Sequence, residues 1–433
     1  MKKLFLIGIL CTMGGICEAQ LLDRIRNRVE QKVVDQVDHS IDKALEKKKQ
    51  KDTTTATGSP QPENNPSETS SAAAQASDDA NADAGRKPPV ADLTSYSAFD
   101  FIPGSKVIMH EDFSQDAVGD FPANWNTRSG AELVTIANRQ GKWLRINQNG
   151  IFYPEQLDSL PNNFTLQFDL LGNKQVSNIG ELMISLMKAD DTDQKFDLAE
   201  SDHIKSPSFK IGFSPTSADK GQLHYSTNLI GKQYKYGVPE FRTDKNTVKV
   251  AIWRQKQRVR VYLDSTKILD LPRALDPMAT LNTLAFTAKN PDFSQEGGAF
   301  FIGNIILAVG AADTRNKLVT EGRFTTHGIQ FNVNSDEILP LSYGALKDVA
   351  QVLQENPGVK VQIVGHTDAD GSDESNVQLS MRRAEAVKKA MEAHFAIDGT
   401  RLQTDGKGES SPIDSNDTPT GKANNRRVEF IRL

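Results

Sequence analysis

Hydrophobic and polar positions divide the chain into five stretches with different periods. Residues 1–19 open on Lys2 and Lys3, run through an apolar middle from Leu4 to Leu10, and leave on Cys17-Glu18-Ala19. A positive start, a short apolar run and a small-x-small exit describe a secretory signal peptide, with cleavage expected after Ala19. Residues 20–50 place Leu22, Ile25, Val29, Val33, Val37, Ile41 and Leu45 at steps of three and four. That spacing predicts an amphipathic helix. A short coiled coil, a helix lying on a surface and a merely solvated helix stay open, because the seam drifts from a strict seven-residue repeat. Residues 51–96 hold Thr, Ser, Ala, Pro, Asp and Asn with almost no large apolar groups. Such a segment cannot bury enough to offset its ordering entropy, so a disordered linker is expected. Its r.m.s. span as a flexible chain would be roughly 35–40 Å.

Residues 97–312 read differently. Short apolar runs recur between polar turns: KVIMHEDF, KWLRINQNGIFY, FTLQFDLL, LMISLM, FKIGFS, VKVAIW, RVRVYLD, LAFTA and AFFIGNIILAV. Many strands with no strong helical run between them predict an all-β jelly-roll sandwich. Exposed alternate positions carry Lys, Arg, Gln and Asp, whereas the wall of a membrane barrel would be apolar there. Residues 313–433 alternate strand and helix. HGIQFNV reads as a strand. Tyr343 to Glu355 has helical spacing and stops at Asn356-Pro357. Val359 to Val364 alternates as a strand, Val377 to Phe395 is helical, and Leu402–Gly408 and Arg427–Leu433 read as closing strands. Together they predict a small α/β sandwich.

Composition narrows the classes. The chain has 433 residues, with 51 Lys+Arg against 56 Asp+Glu and a formal net charge of −5. This mild acidity argues against a nucleic-acid partner held by a basic surface. Hydrophobic residues make up 37%, which fits a chain that is partly solvated tether. Both cysteines, Cys11 and Cys17, fall in the signal segment. A mature chain starting at Gln20 would hold no disulfide, thiolate nucleophile or cysteine metal site. Cys17 is also a lipidation candidate, although Ile16 before it is a poor residue for that signal.

One constellation carries chemistry. Gly365-His366-Thr367-Asp368-Ala369-Asp370-Gly371 follows a strand, and Leu379-Ser380-Met381-Arg382-Arg383-Ala384 lies on the next helix. A helix packing back over the strand end would let Asp368 and Arg383 flank one small zwitterion. The carboxylate would take an ammonium, and the guanidinium would take a carboxylate in a planar fork. An Asp–Arg pair serving only the fold is the competing reading. Adjacent helical residues point about 100° apart, so only one of Arg382 and Arg383 can face such a ligand.

From Gly328 to Leu433 the chain resembles the OmpA-like peptidoglycan-binding domain, also seen in peptidoglycan-associated lipoproteins and motor stator proteins. The resemblance rests on GIQFNVNSDEILP, VGHTDADGSDESN, LSMRRAEAVKKAM, GKGESSPI and TGKANNRRVEFIRL, in that order. It implies binding of peptidoglycan through the diaminopimelate of the stem peptide. Asp368 would hold the ammonium and Arg383 the carboxylate, while Thr367 and Asn376 would shape the loop and add hydrogen bonds. Asn425 and Arg426 of the closing motif are read as mainly structural. Two departures stand out: the family usually has Asp where Asn332 stands, and often an aromatic where Ser375 stands.

The remaining candidates are weaker. Asp368, Asp370 and Asp373 lack the Gly-x5-Glu completion of a calcium loop. His366 has no second His at ligand spacing. Asp190, Asp191, Asp193 and Asp197 read as an exposed acidic turn. No metal or cofactor is expected. Residues 97–312 are diffusely similar to the concanavalin A-like/laminin G-like class, a fold-level likeness from which function does not follow. Glycan binding there would need exposed aromatics, with Trp125, Trp143, Trp253 and Tyr153 as candidates. A glycosidase would need paired carboxylates, and Glu200-Ser201-Asp202 begins such a pair without completing it. The expectation is a non-enzymatic envelope protein of the periplasm or outer membrane, anchored to peptidoglycan. A glycan or an envelope protein would be the partner of the sandwich. A glycan-binding or glycan-hydrolysing protein localised to the wall is the alternative.

Overall fold

The computed structural model describes residues 99–433, apart from 174–179, 216–220, 243–244, 290–297, 311–313 and 315. The expected signal peptide, amphipathic helix and linker lie outside the described residues. Among the described residues no helix is long and apolar enough to cross a membrane.

Strands dominate as far as residue 309. In chain order they are β1 Lys106–Glu111, β2 Trp125–Thr127, β3 Glu132–Thr135, β4 Lys142–Ile146, β5 Gly150–Pro154, β6 Asn163–Gly172, β7 Glu181–Met187 and β8 Ser208–Ser214. They continue as β9 Gly221–Thr227, β10 Gln233–Val238, β11 Thr247–Gln255, β12 Arg258–Leu263, β13 Thr266–Leu271, β14 Thr283–Lys289 and β15 Phe300–Val309. One sheet runs β13-β12-β11-β6-β15-β4-β3, with β1 also paired to β15; the other runs β10-β9-β8-β7-β14-β5-β2. Side chains from both sheets share one core, which includes Phe168, Leu170, Val250, Ile252, Ile184, Ile211, Leu284 and Phe286. Phe168 of β6 meets Phe286 of β14 edge to face at 5.3 Å. Losing one such fully buried ring costs about 3–5 kcal/mol. Period-2 alternation therefore marks which side of each strand faces the partner sheet.

The sequence reading missed the polar strands QLHYST and QYKYGV. It also missed one helix, α1 Thr192–Glu200, capped by Asp191, whose carboxylate accepts from the Gln194 amide. Phe196 and Ala199 of α1 form a small satellite core with Tyr153, Met187 and Ala285.

The C-terminal part has a four-stranded sheet. Its elements are β16 Arg323–Thr326, α2 Tyr343–Glu355, β17 Val361–Gly365, α3 Asp373–Phe395, β18 Leu402–Gly406, α4 Pro419–Asn425 and β19 Val428–Arg432. The order is β16-β19-β17-β18, with β17 and β18 parallel and the other pairs antiparallel. HGIQFNV is not a strand: the strand is the preceding RFTT, and within HGIQFNV only a single bridge joins Phe331 to Ile338. Helix α2 has the expected bounds, whereas α3 begins one turn earlier than Val377. The reason is local: the Ser372 side chain accepts from the Ser375 amide, and the Ser375 hydroxyl reaches back to Ser372. Such reciprocal capping starts a helix upstream of its apolar periodicity.

Helix α3 lies unusually close to β17 and β18. A Cβ on Gly365 would meet the Ser380 carbonyl oxygen at 2.2 Å, and one on Gly406 would meet the Met381 nitrogen at 2.5 Å. These two glycines permit the approach that sets α3 over the strand ends.

The described residues belong to one compact unit. Phe99, Phe101, Ala251, Tyr262 and Leu341 form a core that joins the strand-rich part to the C-terminal part.

Candidate functional site

Strand β17 ends at Gly365, and the loop that follows turns over the C-terminal edges of the parallel strands. His366 donates its amide to the Arg427 carbonyl at 3.0 Å, and Thr367 donates its amide to the Gly408 carbonyl at 3.0 Å. Asp368 comes next and is largely buried, at 8% exposure. Its carboxylate accepts from the Asp370 amide at 3.3 Å and forms an ion pair with Arg426. The amide nitrogen of Asn376, on the first turn of α3, lies 3.3 Å from the Asp368 carbonyl oxygen, 3.1 Å from that of Asp370 and 2.5 Å from Glu409 Oε2. Asn376 therefore ties the loop to the helix. The Thr367 hydroxyl is buried with no hydrogen-bond partner among the described residues.

Arg383 lies on α3 and extends across the segment after β16. Its Nε donates to the Ser335 carbonyl at 3.0 Å and its Nη2 to the Asn332 carbonyl at 3.4 Å, while the guanidinium lies 5.0 Å from the Phe331 ring centroid. Burial pushes its pKa down to about 10; the Arg426 charge adds to this and Asp368 opposes it. The group stays protonated at neutral pH. The charges of Asp368 and Arg426 thus both reach Arg383. The competing reading, a direct Asp368–Arg383 pair serving the fold, is not what forms among the described residues: the ion-pair partner of Asp368 is Arg426.

Arg426, read from the sequence as mainly structural, is the residue that meets the Asp368 carboxylate. Its signal was weak, because it stands next to Asn425, which is structural. Asn425 accepts from the Ile413 and Asp414 amides at 2.8 and 3.0 Å and donates to Asn416 at 2.9 Å. Asn416 in turn accepts from the Ala369 amide at 3.2 Å, and Lys422 pairs with Asp370 at 2.7 Å. The closing motif therefore supports the 366–376 loop at four points, His366, Asp368, Ala369 and Asp370. Phe331 and the backbone of Asn332 also line the site; the Asn332 side chain turns away to Glu337 at 2.8 Å. Ser375, the other departure from the family pattern, is used in the helix cap.

His366 is buried beside the Arg427–Glu429 pair, with its Nε2 3.5 Å from Glu429. Burial, and then Arg427, push its pKa down to about 4. It is a neutral core histidine.

The other sequence candidates separate. Asp190, Asp191, Asp193 and Asp197 are exposed around the start of α1. Trp125, Trp143 and Tyr153 are buried, and Trp253 is half-buried with Arg260 4.8 Å from its ring. Among the described residues the exposed aromatics are instead Tyr234 and Tyr236, with rings parallel to within 7°; the alternation in QYKYGV was their signal. Glu200 is exposed, whereas Asp202 joins Glu181 and His224 in a cluster with metal-like spacing. Gly212 leaves room for it, since a Cβ there would meet His224 at 2.5 Å and Glu181 at 2.6 Å. Burial opposes ionisation of Asp202, yet hydrogen bonds from Lys232 and Lys289 hold its pKa at about 2. Two ammonium groups already compensate that carboxylate.

Residues 330–426 match the OmpA family model. The chain is 39% identical over 104 residues to "Probable lipoprotein YiaD" of Escherichia coli strain K12, covering 24% of this chain and 47% of that protein. It is 39% identical over 103 residues to "Peptidoglycan-binding protein ArfA" of Mycobacterium tuberculosis, covering 24% of this chain and 31% of that one. The chain spans about half or less of the length of these curated relatives. Among solved structures, the peptidoglycan-associated lipoprotein from Burkholderia pseudomallei matches with a TM-score of 0.24 and 23% identity, over 28% of this chain and 98% of that one. The C-terminal region, residues 330–426, is an OmpA family domain.

Proposed function

We propose that this chain is a non-enzymatic cell-envelope protein that anchors to peptidoglycan by binding the diaminopimelate of the stem peptide through its C-terminal domain. The observation that carries the reading is a buried carboxylate, Asp368, paired with the Arg426 guanidinium and within electrostatic reach of Arg383, at a strand-end loop braced by the closing motif. Diaminopimelate presents an amino-acid head with one ammonium and one carboxylate. Asp368 takes the ammonium. Arg383, pre-positioned by two backbone carbonyls and an aromatic face, takes the carboxylate together with Arg426. Thr367 contributes its unpaired hydroxyl, and Asn376 holds the loop in shape.

The curated relatives support this reading, since ArfA carries the name of a peptidoglycan-binding protein. A periplasmic or outer-membrane location follows from the same reading and accords with relatives such as outer membrane porin F. The test is co-sedimentation of the purified chain with insoluble peptidoglycan. Retention is expected for the unsubstituted chain and its loss for the Asp368→Ala, Arg383→Ala double variant. Unchanged retention of the double variant sinks the site.

A further inference from the structure

Arg426 points two ways. One terminal nitrogen holds Asp368, while Nη2 lies 3.4 Å from Nδ1 of His110, a residue of strand β1 in the strand-rich part. We propose that His110 is a positioning residue for the wall-binding site, reaching across from the β1–β15 region to hold the Arg426 guanidinium in place on Asp368. This rests on the reading that the Asp368 site binds the stem peptide.

The tautomer follows from the neighbours. Asn304 donates its amide nitrogen to Asp169 Oδ2 at 3.1 Å, so its Oδ1 is the atom that faces His110 Nε2 at 3.0 Å. An oxygen acceptor there requires hydrogen on Nε2. The neutral ring then presents a bare lone pair at Nδ1, and the donor that reaches it is Arg426. Burial, and next the Arg426 charge, lower the pKa of His110, which keeps the ring neutral at neutral pH. The Pro419 carbonyl lies 3.3 Å from Nδ1 but cannot donate.

The contact is built into a wider joint. The His110 amide donates to Thr420 Oγ1 at 3.0 Å, the Val107 amide donates to Asn424 Oδ1 at 2.9 Å, and Asn424 returns a bond to the Val107 carbonyl at 3.0 Å. These three bonds fix the height of β1 against α4, the helix that delivers Arg426. Without His110 the guanidinium keeps Asp368 but loses the second anchor that sets its plane. A planar fork binds a carboxylate only in a narrow orientation.

The test uses the full chain and a soluble muropeptide carrying diaminopimelate, followed by calorimetry. His110→Ala is expected to weaken binding about 3- to 10-fold, the size of one net hydrogen bond. His110→Asn places an amide oxygen where Nδ1 stood and restores most of it. In an Arg426→Ala background, His110→Ala adds nothing further. Hydrogen–deuterium exchange without ligand gives a second readout: His110→Ala speeds exchange of the 366–376 loop, and His110→Asn does not. Equal affinity for His110→Ala and the unsubstituted chain overturns the proposal, as does an undiminished effect in the Arg426→Ala background. Absence of binding by the unsubstituted chain sinks the functional reading instead. The exchange experiment then decides the positioning role alone, with unchanged loop exchange in His110→Ala overturning it.

Discussion

Replacing Asp368 by Asn keeps the volume of the side chain and removes its charge. In the free protein the loss is small. Arg426 is 38% exposed, so water screens the ion pair, and exposed pairs contribute about 0–1 kcal/mol. The bond from the Asp370 amide survives, because the Asn oxygen still accepts. In the complex the loss is larger. The ligand ammonium exchanges an ionised acceptor for a neutral amide oxygen, and the roughly 1.5–3 kcal/mol of a bond to a charged group bounds the loss. At about 1.4 kcal/mol per factor of ten, Asp368→Asn weakens binding about 10-fold and by no more than about 150-fold. Calorimetry with a diaminopimelate muropeptide measures this, and a thermal melt on the same sample measures stability. The expected pattern is a large affinity loss with a Tm that barely moves. A muropeptide with lysine in place of diaminopimelate lacks the second carboxylate and should bind weakly to the unsubstituted chain. Asp368→Asn with unchanged affinity would refute the reasoning, and so would an affinity loss that merely tracks unfolding.

Further outcomes follow from the same geometry. Gly365→Ala drives a Cβ into the Ser380 carbonyl oxygen at 2.2 Å, backbone against backbone, and should cost about 1–3 kcal/mol in chemical denaturation. Arg427→Met leaves buried Glu429 with only the exposed Arg323, 3.6 Å away, to offset its charge, so a loss of up to about 3–5 kcal/mol is expected in the same assay. His366 titrates near 6.5 when unfolded and is pushed to about 4 when folded, so the unfolded state binds more protons between these values. Stability should therefore fall as pH drops through that window, by up to about 1.4 kcal/mol per pH unit, and His366→Phe should flatten the slope in urea titrations at several pH values. Lys210 is fully buried against backbone carbonyls; burial and then Lys289 push its pKa down to about 7. Stability should rise between pH 7 and 10.5 as the unfolded lysine gives up the proton that the folded one has already lost, and Lys210→Met should remove that rise.

Much of the fold is legible in the chain because two periods do not mix. Alternation at Val248-Lys249-Val250 and at Arg258 to Leu263 marks strands with one face in the core, and both segments are strands. Helical spacing over Tyr343–Glu355 gives α2 its bounds. Periodicity fails where capping or polarity decides instead. Helix α3 begins at Asp373 because Ser372 and Ser375 satisfy its first amides, and the polar strand Gln233–Val238 forms at a sheet edge with little apolar burial to announce it. HGIQFNV has strand-like residues but only one bridge, because its Gln330 and Asn332 backbone groups bond locally to Leu339, Ser342 and Glu337 instead of to a sheet.

The site divides in the same way. Local sequence determined the glycine-permitted approach of α3 to β17, the loop after the strand, and the presence of Asp368 and Arg383 on either side of it. It could not determine that Arg426, 58 residues further along, closes on Asp368, or that His110, 316 residues away, reaches the same guanidinium. Charge pairing is set by distance in space, and that distance exists only once β19 has returned beside β17 and β1 has docked on α4.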